Sequence, residues 1–152
     1  MKKEMETTIL WLDDQRNPET YFNPTKQRKN SLTWINNNDF YTNNIFNIGN
    51  YKFIWVKTFN EFKNFFLNNN TMPDWISYDY DLSKTDSNHN GDDCAKWLVN
   101  YCKQNNLKLP KYRIHSANKA KSPIINNILT INENDIAKIV YNTLKLILNE
   151  KK

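Results

Sequence analysis

Short, continuously apolar runs alternate along the chain with stretches in which apolar residues recur every three or four positions. Thr7–Leu12, Tyr51–Val56, Pro73–Asp79 and Tyr112–His115 are of the first kind. They carry the pattern of strands covered on both faces. Between the second and third, Phe59, Phe62 and Phe66 follow the capping-box sequence Thr58-Phe59-Asn60-Glu61 at helical spacing, which predicts a helix over 59–68 that buries an aromatic stripe. Asp92–Gln104 predicts a second helix, with Ala95, Leu98, Val99 and Cys102 on one face. Ser122-Pro123, a cap followed by a proline at the first helical position, opens a third through Leu129. Asn134–Leu148 predicts a fourth, with Ile136, Ile139 or Val140, Leu144 and Ile147 as its buried set.

This alternation argues an α/β fold with a mostly parallel sheet of four or five strands, and right-handed crossovers would place helices on both faces. Residues 19–50 break the pattern. They are rich in Asn, carry Tyr21, Phe22, Trp34, Phe40, Tyr41 and Phe46 without a clean period, and hold a basic patch at Lys26, Arg28 and Lys29. Such an excursion reads as an insertion within one domain spanning 1–152, a lid or side wall.

Composition narrows the class. A chain of 152 residues that is 39% hydrophobic and 14% aromatic has enough apolar surface to fold as one domain, which excludes a disordered chain. The net charge of +5 is what an ordinary lysine-rich surface gives, and it also suits a phosphate-bearing ligand. Cys94 and Cys102 lie two turns apart in one predicted helix, too far to bridge, with no metal-type partner nearby. Met1–Thr8 is polar and no apolar run reaches membrane-spanning length, so a cytoplasmic protein without a membrane partner is expected.

The chemistry gathers at the strand ends. The first predicted strand runs into Asp13-Asp14, the third ends Asp79-Tyr80-Asp81, and the fourth exits through His115-Ser116-Ala117-Asn118. In open α/β sheets ligands bind beyond the carboxyl ends of the strands. Either acidic pair alone is equally well read as a turn former or helix cap. Together they predict a cluster of carboxylates that a divalent cation would relieve of mutual repulsion, and all-oxygen ligands suit Mg²⁺ or Mn²⁺. His115 beside such a cluster is a candidate general acid or base. Ser116 and Asn118 could hold phosphate oxygens or cap the loop. Arg16, Lys119 and Lys121 flank the rim as candidate phosphate partners, with a solvated surface the plainer reading for the two lysines. His89 reads as surface.

The ordered set Leu12-Asp13-Asp14-x-Arg16-x-Pro18, Ser77-Tyr78-Asp79-Tyr80-Asp81-Leu82, Gly91-Asp92-Asp93-Cys94-Ala95-Lys96-Trp97-Leu98 and His115-Ser116-Ala117-Asn118 resembles the cyclic-phosphate-processing receiver-like domain. That family is a variant of the response-regulator receiver found in bacteria and phages. The resemblance implies a flavodoxin-like three-layer sandwich, a divalent metal at the strand ends, and action on cyclic phosphates of nucleotides or RNA ends. It matches Asp13 and Asp14 to the receiver's metal-binding acids, and Asp79 to its phosphoacceptor position. Tyr80 stands where the family has histidine, and the fifth strand with the lysine of ordinary receivers is not found.

Three functional expectations follow. The first is a metal-dependent phosphoesterase with a cyclic nucleotide or cyclic-phosphate-ended RNA as partner, DNA not being expected. Asp13, Asp14 and Asp79 would hold Mg²⁺ or Mn²⁺. Asp81 would orient or deprotonate water, and His115 would protonate the leaving oxygen. Arg16, Ser116, Asn118 and Lys119 would bind substrate. The second is a non-catalytic module that binds or sequesters a nucleotide or docks a partner protein. The third, an aspartyl-phosphate receiver, ranks last for want of the lysine.

Overall fold

A computed structural model describes residues 6–19, 51–69, 71–116 and 118–150. The excursion expected as a lid over 19–50, with its aromatics and basic patch, lies outside the described residues from position 20 onward. Four strands are described: β1 (Thr7–Leu12), β2 (Tyr51–Val56), β3 (Trp75–Tyr78) and β4 (Lys111–Ile114). Three helices accompany them: α1 (Phe59–Asn68), α2 (Gly91–Asn105) and α3 (Ser122–Glu150). The sheet runs β2-β1-β3-β4 with every pair parallel. This is the expected α/β, receiver-like architecture, with four strands described.

The period of two along each strand sorts the side chains into two faces. Leu10, Leu12, Ile54, Val56, Ile76, Tyr78, Tyr112 and Ile114 share one face, in register across the sheet. Onto it pack Phe62 and Phe66 of α1, Cys94, Leu98 and Cys102 of α2, and Ile125, Leu129 and Ile136 of α3. The described helices therefore all lie on this face. The opposite face carries Ile9, Trp11, Phe53, Trp55, Trp75 and Ser77, with Ile9, Trp11 and Ser77 fully buried. None of the three described helices packs on this face, where the crossover rule had also placed helices. Both cysteines are free and buried. No helix among the described residues is long and apolar enough to cross a membrane.

One element departs from expectation. The two helices expected over 122–129 and 134–148 are a single helix, α3. Ile125, Leu129, position 132 and Ile136 form one continuous inward stripe, but position 132 is Asn, which interrupts the apolar pattern. The structure satisfies it: the Lys103 Nζ donates to Asn132 Oδ1 at 2.9 Å, so a polar residue keeps a core-facing place. The expected buried set is also corrected. Ile136 is buried and Val140 packs against the core, whereas Leu144 and Ile147 are 55% and 44% exposed, because α3 runs on past the sheet.

Thr58 caps α1 as expected, its hydroxyl accepting from the Glu61 N–H, while the Glu61 carboxylate accepts from the Lys57 N–H. One core group lacks a partner among the described residues: the Tyr78 hydroxyl, on a side chain with no exposure. A buried hydroxyl without a hydrogen bond costs about 1–3 kcal/mol. Tyr78→Phe is therefore expected to stabilise the protein by about 1 kcal/mol, read as a higher denaturation midpoint at unchanged slope. A lower midpoint would show that the hydroxyl is satisfied.

Candidate acidic centre at the strand ends

The hydrogen-bond ladder of the sheet continues one residue past the strand ends. Asp13 N–H donates to Val56 O, Asp79 N–H to Leu12 O, and His115 N–H to Tyr78 O, at 2.9–3.1 Å. Asp13, Asp79 and His115 thus form one rung across three strands. By the two-residue period they share the face of Trp11, Ser77 and Arg113. This geometry brings three carboxylates together. Asp13, Asp14 and Asp79 each offer an oxygen, all within 4.8 Å of one another.

Asp13 is fully buried and held from four directions. Its Oδ1 accepts from the backbone N–H groups of Gln15 and Arg16 at 2.9 and 3.0 Å. Its Oδ2 accepts from Arg16 Nε at 2.8 Å and His115 Nε2 at 3.0 Å. Burial alone pushes the Asp13 carboxyl up; hydrogen bonding from His115 and the Arg16 charge outweigh it, leaving the group below the usual carboxylate range. The turn that delivers these donors is fixed by two indoles. Trp11 Nε1–H donates to Arg16 O at 2.9 Å and Trp55 Nε1–H to Asp13 O at 2.7 Å.

His115 stands behind Asp13 rather than at the open rim. It is 2% exposed. Its ring stacks on Trp11 with centroids 3.7 Å apart and planes 4° from parallel, and Nδ1 lies 2.7 Å from Ser77 Oγ. Burial lowers its pKa to about 4, so the ring is neutral at pH 7. An ionised Asp13 can only accept, which puts the single ring proton on Nε2. Nδ1 then accepts from the Ser77 hydroxyl. Ser77, His115 and Asp13 form one directed chain of hydrogen bonds. The ring expected as a general acid is buried, with one nitrogen on Asp13 and the other on Ser77.

Asp79 is 3% exposed and carries the opposite electrostatic burden. Burial and the charges of Asp13 and Asp14 raise its pKa to about 7, against the opposing charge of Arg16 and hydrogen bonding from Ser116. Asp14, half-buried, is raised by burial and by Asp13 and Asp81; its Oδ2 accepts from the Lys84 N–H at 2.9 Å. Arg16 bridges the cluster, with Nη2 at 3.3 Å from Asp79 Oδ2 while Nε holds Asp13.

The backbone at Asp79 is set by Gly91, where α2 begins. A Cβ on Gly91 would lie 1.9 Å from Asp79 O, so only glycine permits this approach. The Gly91 N–H donates to Tyr80 O at 2.7 Å, and the Asp93 carboxylate caps the helix by accepting from the Asn90 N–H at 2.9 Å.

The acids that line up, the residue spacing and the parallel sheet agree with one family. A family model described as the cyclic-phosphate processing receiver domain matches residues 8–130. The chain belongs to that family. No curated protein and no solved structure matches it.

Within this receiver domain, the expected site residues divide. Asp13, Asp14, Asp79, Arg16, His115 and Ser116 converge. Asp81 stands outside the carboxylate cluster, exposed, its Oδ1 accepting from the Ser83 N–H at 2.9 Å, which lowers its pKa. Asn118 caps the approach to α3, its side chain accepting from the Lys121 N–H. Lys119 lies in a groove beside β4. Ser77, Trp11, Trp55 and Gly91 had no assigned part in the sequence reading. Ser77 was legible in principle, as a polar residue at a buried position two before Asp79 on an apolar strand.

The titrations have opposite signs. A carboxyl raised to about 7 makes the protein lose stability as pH rises from about 4 to 7. A histidine lowered to about 4 makes it gain stability between pH 4 and 6.5. The two slopes oppose each other in the natural chain. Asp79→Asn removes the first. Its stability is expected to climb between pH 4 and 6.5 and to exceed that of the natural chain above pH 7 by on the order of 2 kcal/mol. Urea denaturation across that range in chelator checks this. A flat profile for Asp79→Asn would contradict the assignment.

Proposed function

We infer that this receiver domain is a divalent-metal-dependent phosphoesterase that opens cyclic phosphates of nucleotides or RNA ends. The supporting observation is the convergence of the Asp13, Asp14 and Asp79 oxygens within 4.8 Å at the carboxyl edge of a parallel sheet, in a chain of a cyclic-phosphate-processing family. The donor set fits a hard cation: three carboxylates, no sulfur, and an acid at Asp79 whose pKa is raised by burial first and then by the charges of Asp13 and Asp14. Asp13, Asp14 and Asp79 would hold Mg²⁺ or Mn²⁺, which supplies Lewis-acid polarisation of a phosphoryl oxygen.

The chain's own groups do the rest. Ser77 and His115 keep Asp13 in one orientation. The exposed Asp81, just past the cluster, takes the proton of a water that adds to phosphorus. One phosphorus–ribose oxygen bond breaks, and the freed oxygen takes up a proton from solvent. Arg16 has two partners to choose between. Asp13 already accepts four hydrogen bonds, two of them from Arg16, so a cation held by the three acids would compete with the guanidinium, whose other role would be to hold an anionic phosphoryl oxygen.

A second reading, a module that binds a nucleotide without turnover, has one observation in its favour: the Arg16 guanidinium already bridges Asp13 and Asp79. Incubation with 2′,3′- and 3′,5′-cyclic nucleotides and Mg²⁺ or Mn²⁺ separates the two. Linear monophosphate is expected from the natural chain, falling at least about a hundredfold in Asp79→Ala. Tight binding with the nucleotide recovered intact would establish the second reading instead.

The exchange at Arg16 has its own readout. Arg16→Gln removes the competitor and is expected to tighten Mn²⁺ binding about tenfold by calorimetry. Unchanged or weaker binding would mean that Arg16 does not compete for the cation.

A further inference from the structure

The Tyr80–Asn90 loop runs past the acidic centre, yet its tip is fastened elsewhere, on the start of α1. The fastener is Asp86. Its Oδ2 accepts from the Phe59 N–H at 3.1 Å, the first N–H of α1, which has no acceptor within its own helix. Its Oδ1 accepts from the Asn88 and His89 N–H groups at 3.1 Å and lies 3.2 Å from His89 Nδ1. An ionised carboxylate only accepts, so that nitrogen carries the ring proton. The His89 ring stacks on Phe59, with centroids 4.2 Å apart and planes 20° from parallel. One residue before Asp86, the Thr85 hydroxyl donates to Lys57 O. Asp86 is thus held by four donors, as Asp13 is, although it lies outside the acidic centre. Its side chain is 12% exposed.

What the loop carries back to the centre is a single N–H. The Lys84 N–H donates to Asp14 Oδ2 at 2.9 Å. The three acids differ in how they are held. Asp13 has four donors, and Asp79 has Arg16 and Ser116. Among the described residues, Asp14 receives one hydrogen bond from outside its own residue, and it is this one. The direction of the half-buried Asp14 carboxylate therefore follows the loop. Lys84 sits midway between two anchors: Leu82, fully buried in the core, and Asp86 on α1. Leu82 O accepts from the Thr85 and Asp86 N–H groups at 3.1 and 2.8 Å, which closes the tip into one tight turn. A turn anchored only at Leu82 can swing about that end. Anchored at both ends it holds the Lys84 N–H in place.

We propose that Asp86 is a positioning residue of the acidic centre: it bolts the loop to the start of α1 and, through the Lys84 N–H, sets Asp14. For the cation this rests on the metal-dependent reading; for the hydrogen-bond chain it does not. Where a cation is held by Asp14, its binding and the docking of the loop on α1 stabilise each other by linkage.

The test uses the full chain, in chelator and with Mn²⁺, for the natural protein, Asp86→Ala, Asp86→Asn and Asp74→Ala. Asp74 is the control. Its Oδ2 accepts from the Thr8 N–H at 2.7 Å, a comparable bond at the opposite end of the sheet. Amide hydrogen exchange in chelator reads the Lys84 N–H. Asp86→Ala is expected to speed it at least about tenfold. Asp86→Asn, which keeps one acceptor oxygen, falls between, and Asp74→Ala leaves it unchanged. Calorimetry then reads Mn²⁺ binding, which Asp86→Ala weakens about tenfold or more and Asp74→Ala does not. Should Asp86→Ala fail to fold, Asp86→Asn decides on the same two readouts. Unchanged Lys84 exchange in the Asp86 variants would overturn the positioning role. So would equal losses in Asp74→Ala, or faster exchange with Mn²⁺ affinity intact. Faster Lys84 exchange in a natural background that binds no Mn²⁺ would support the role of Asp86 while removing the metal-dependent reading.

Discussion

A buried negative charge at the end of the central strand is the constraint that the remaining structure answers. Asp13 has no exposure, and an uncompensated carboxylate there would be untenable. Everything around it is arranged as compensation. The turn after β1 folds back to present two backbone N–H groups, Arg16 supplies charge, and His115 supplies a neutral donor from β4. Two tryptophans on adjacent strands tie the turn to the sheet through their indole N–H groups. The aromatic richness of this face is thus partly polar in purpose. These rings bury area, and they also provide directed donors and a stacking plate for the imidazole.

Placing His115 behind Asp13 reorganises the chemistry available at the rim. A neutral ring with its proton on Nε2 leaves Asp13 the full negative charge while fixing its direction, an arrangement familiar for groups that support metal ligands. The unrelieved charge then falls on Asp79, itself buried, and on the half-buried Asp14. Arg16 is the only cationic side chain whose ion pairs within the described centre reach two of the acids. It reaches them from a turn only three residues past Asp13, so it acts as a tethered competitor with a high effective concentration. On the metal-dependent reading proposed above, a divalent cation would compete with this guanidinium for the same carboxylates.

Much of this was legible in the sequence. The bounds of β1, β2 and α1 follow from apolar runs and a capping box that compete with nothing else. The three acids that converge were expected together, because strands that end in Asp in a parallel sheet end at the same edge. What the sequence concealed was of two kinds. Asn132 hid the continuity of α3, since its stabilising partner Lys103 lies on another helix and no local pattern announces it. The depth of His115 had no local signal: only its hydrogen bond with Ser77 and its stack on Trp11 show that it leans inward. Asp81 and Asn118 are two and three residues past the ladder, where the two-residue period no longer fixes direction, and both turned to local backbone donors instead.

The contact between Gly91 and the Asp79 carbonyl welds a strand end to a helix start. With no room for a single carbon between them, the joint has no adjustable part, so side-chain substitution there offers no route to moving the outer acid. Any change in the geometry of the centre has to come from parts hinged elsewhere: the Asp14 turn, the Arg16 arm and the Tyr80–Asn90 loop. The fold sets a rigid joint beside a perimeter of turns, and it does so with one missing methyl group.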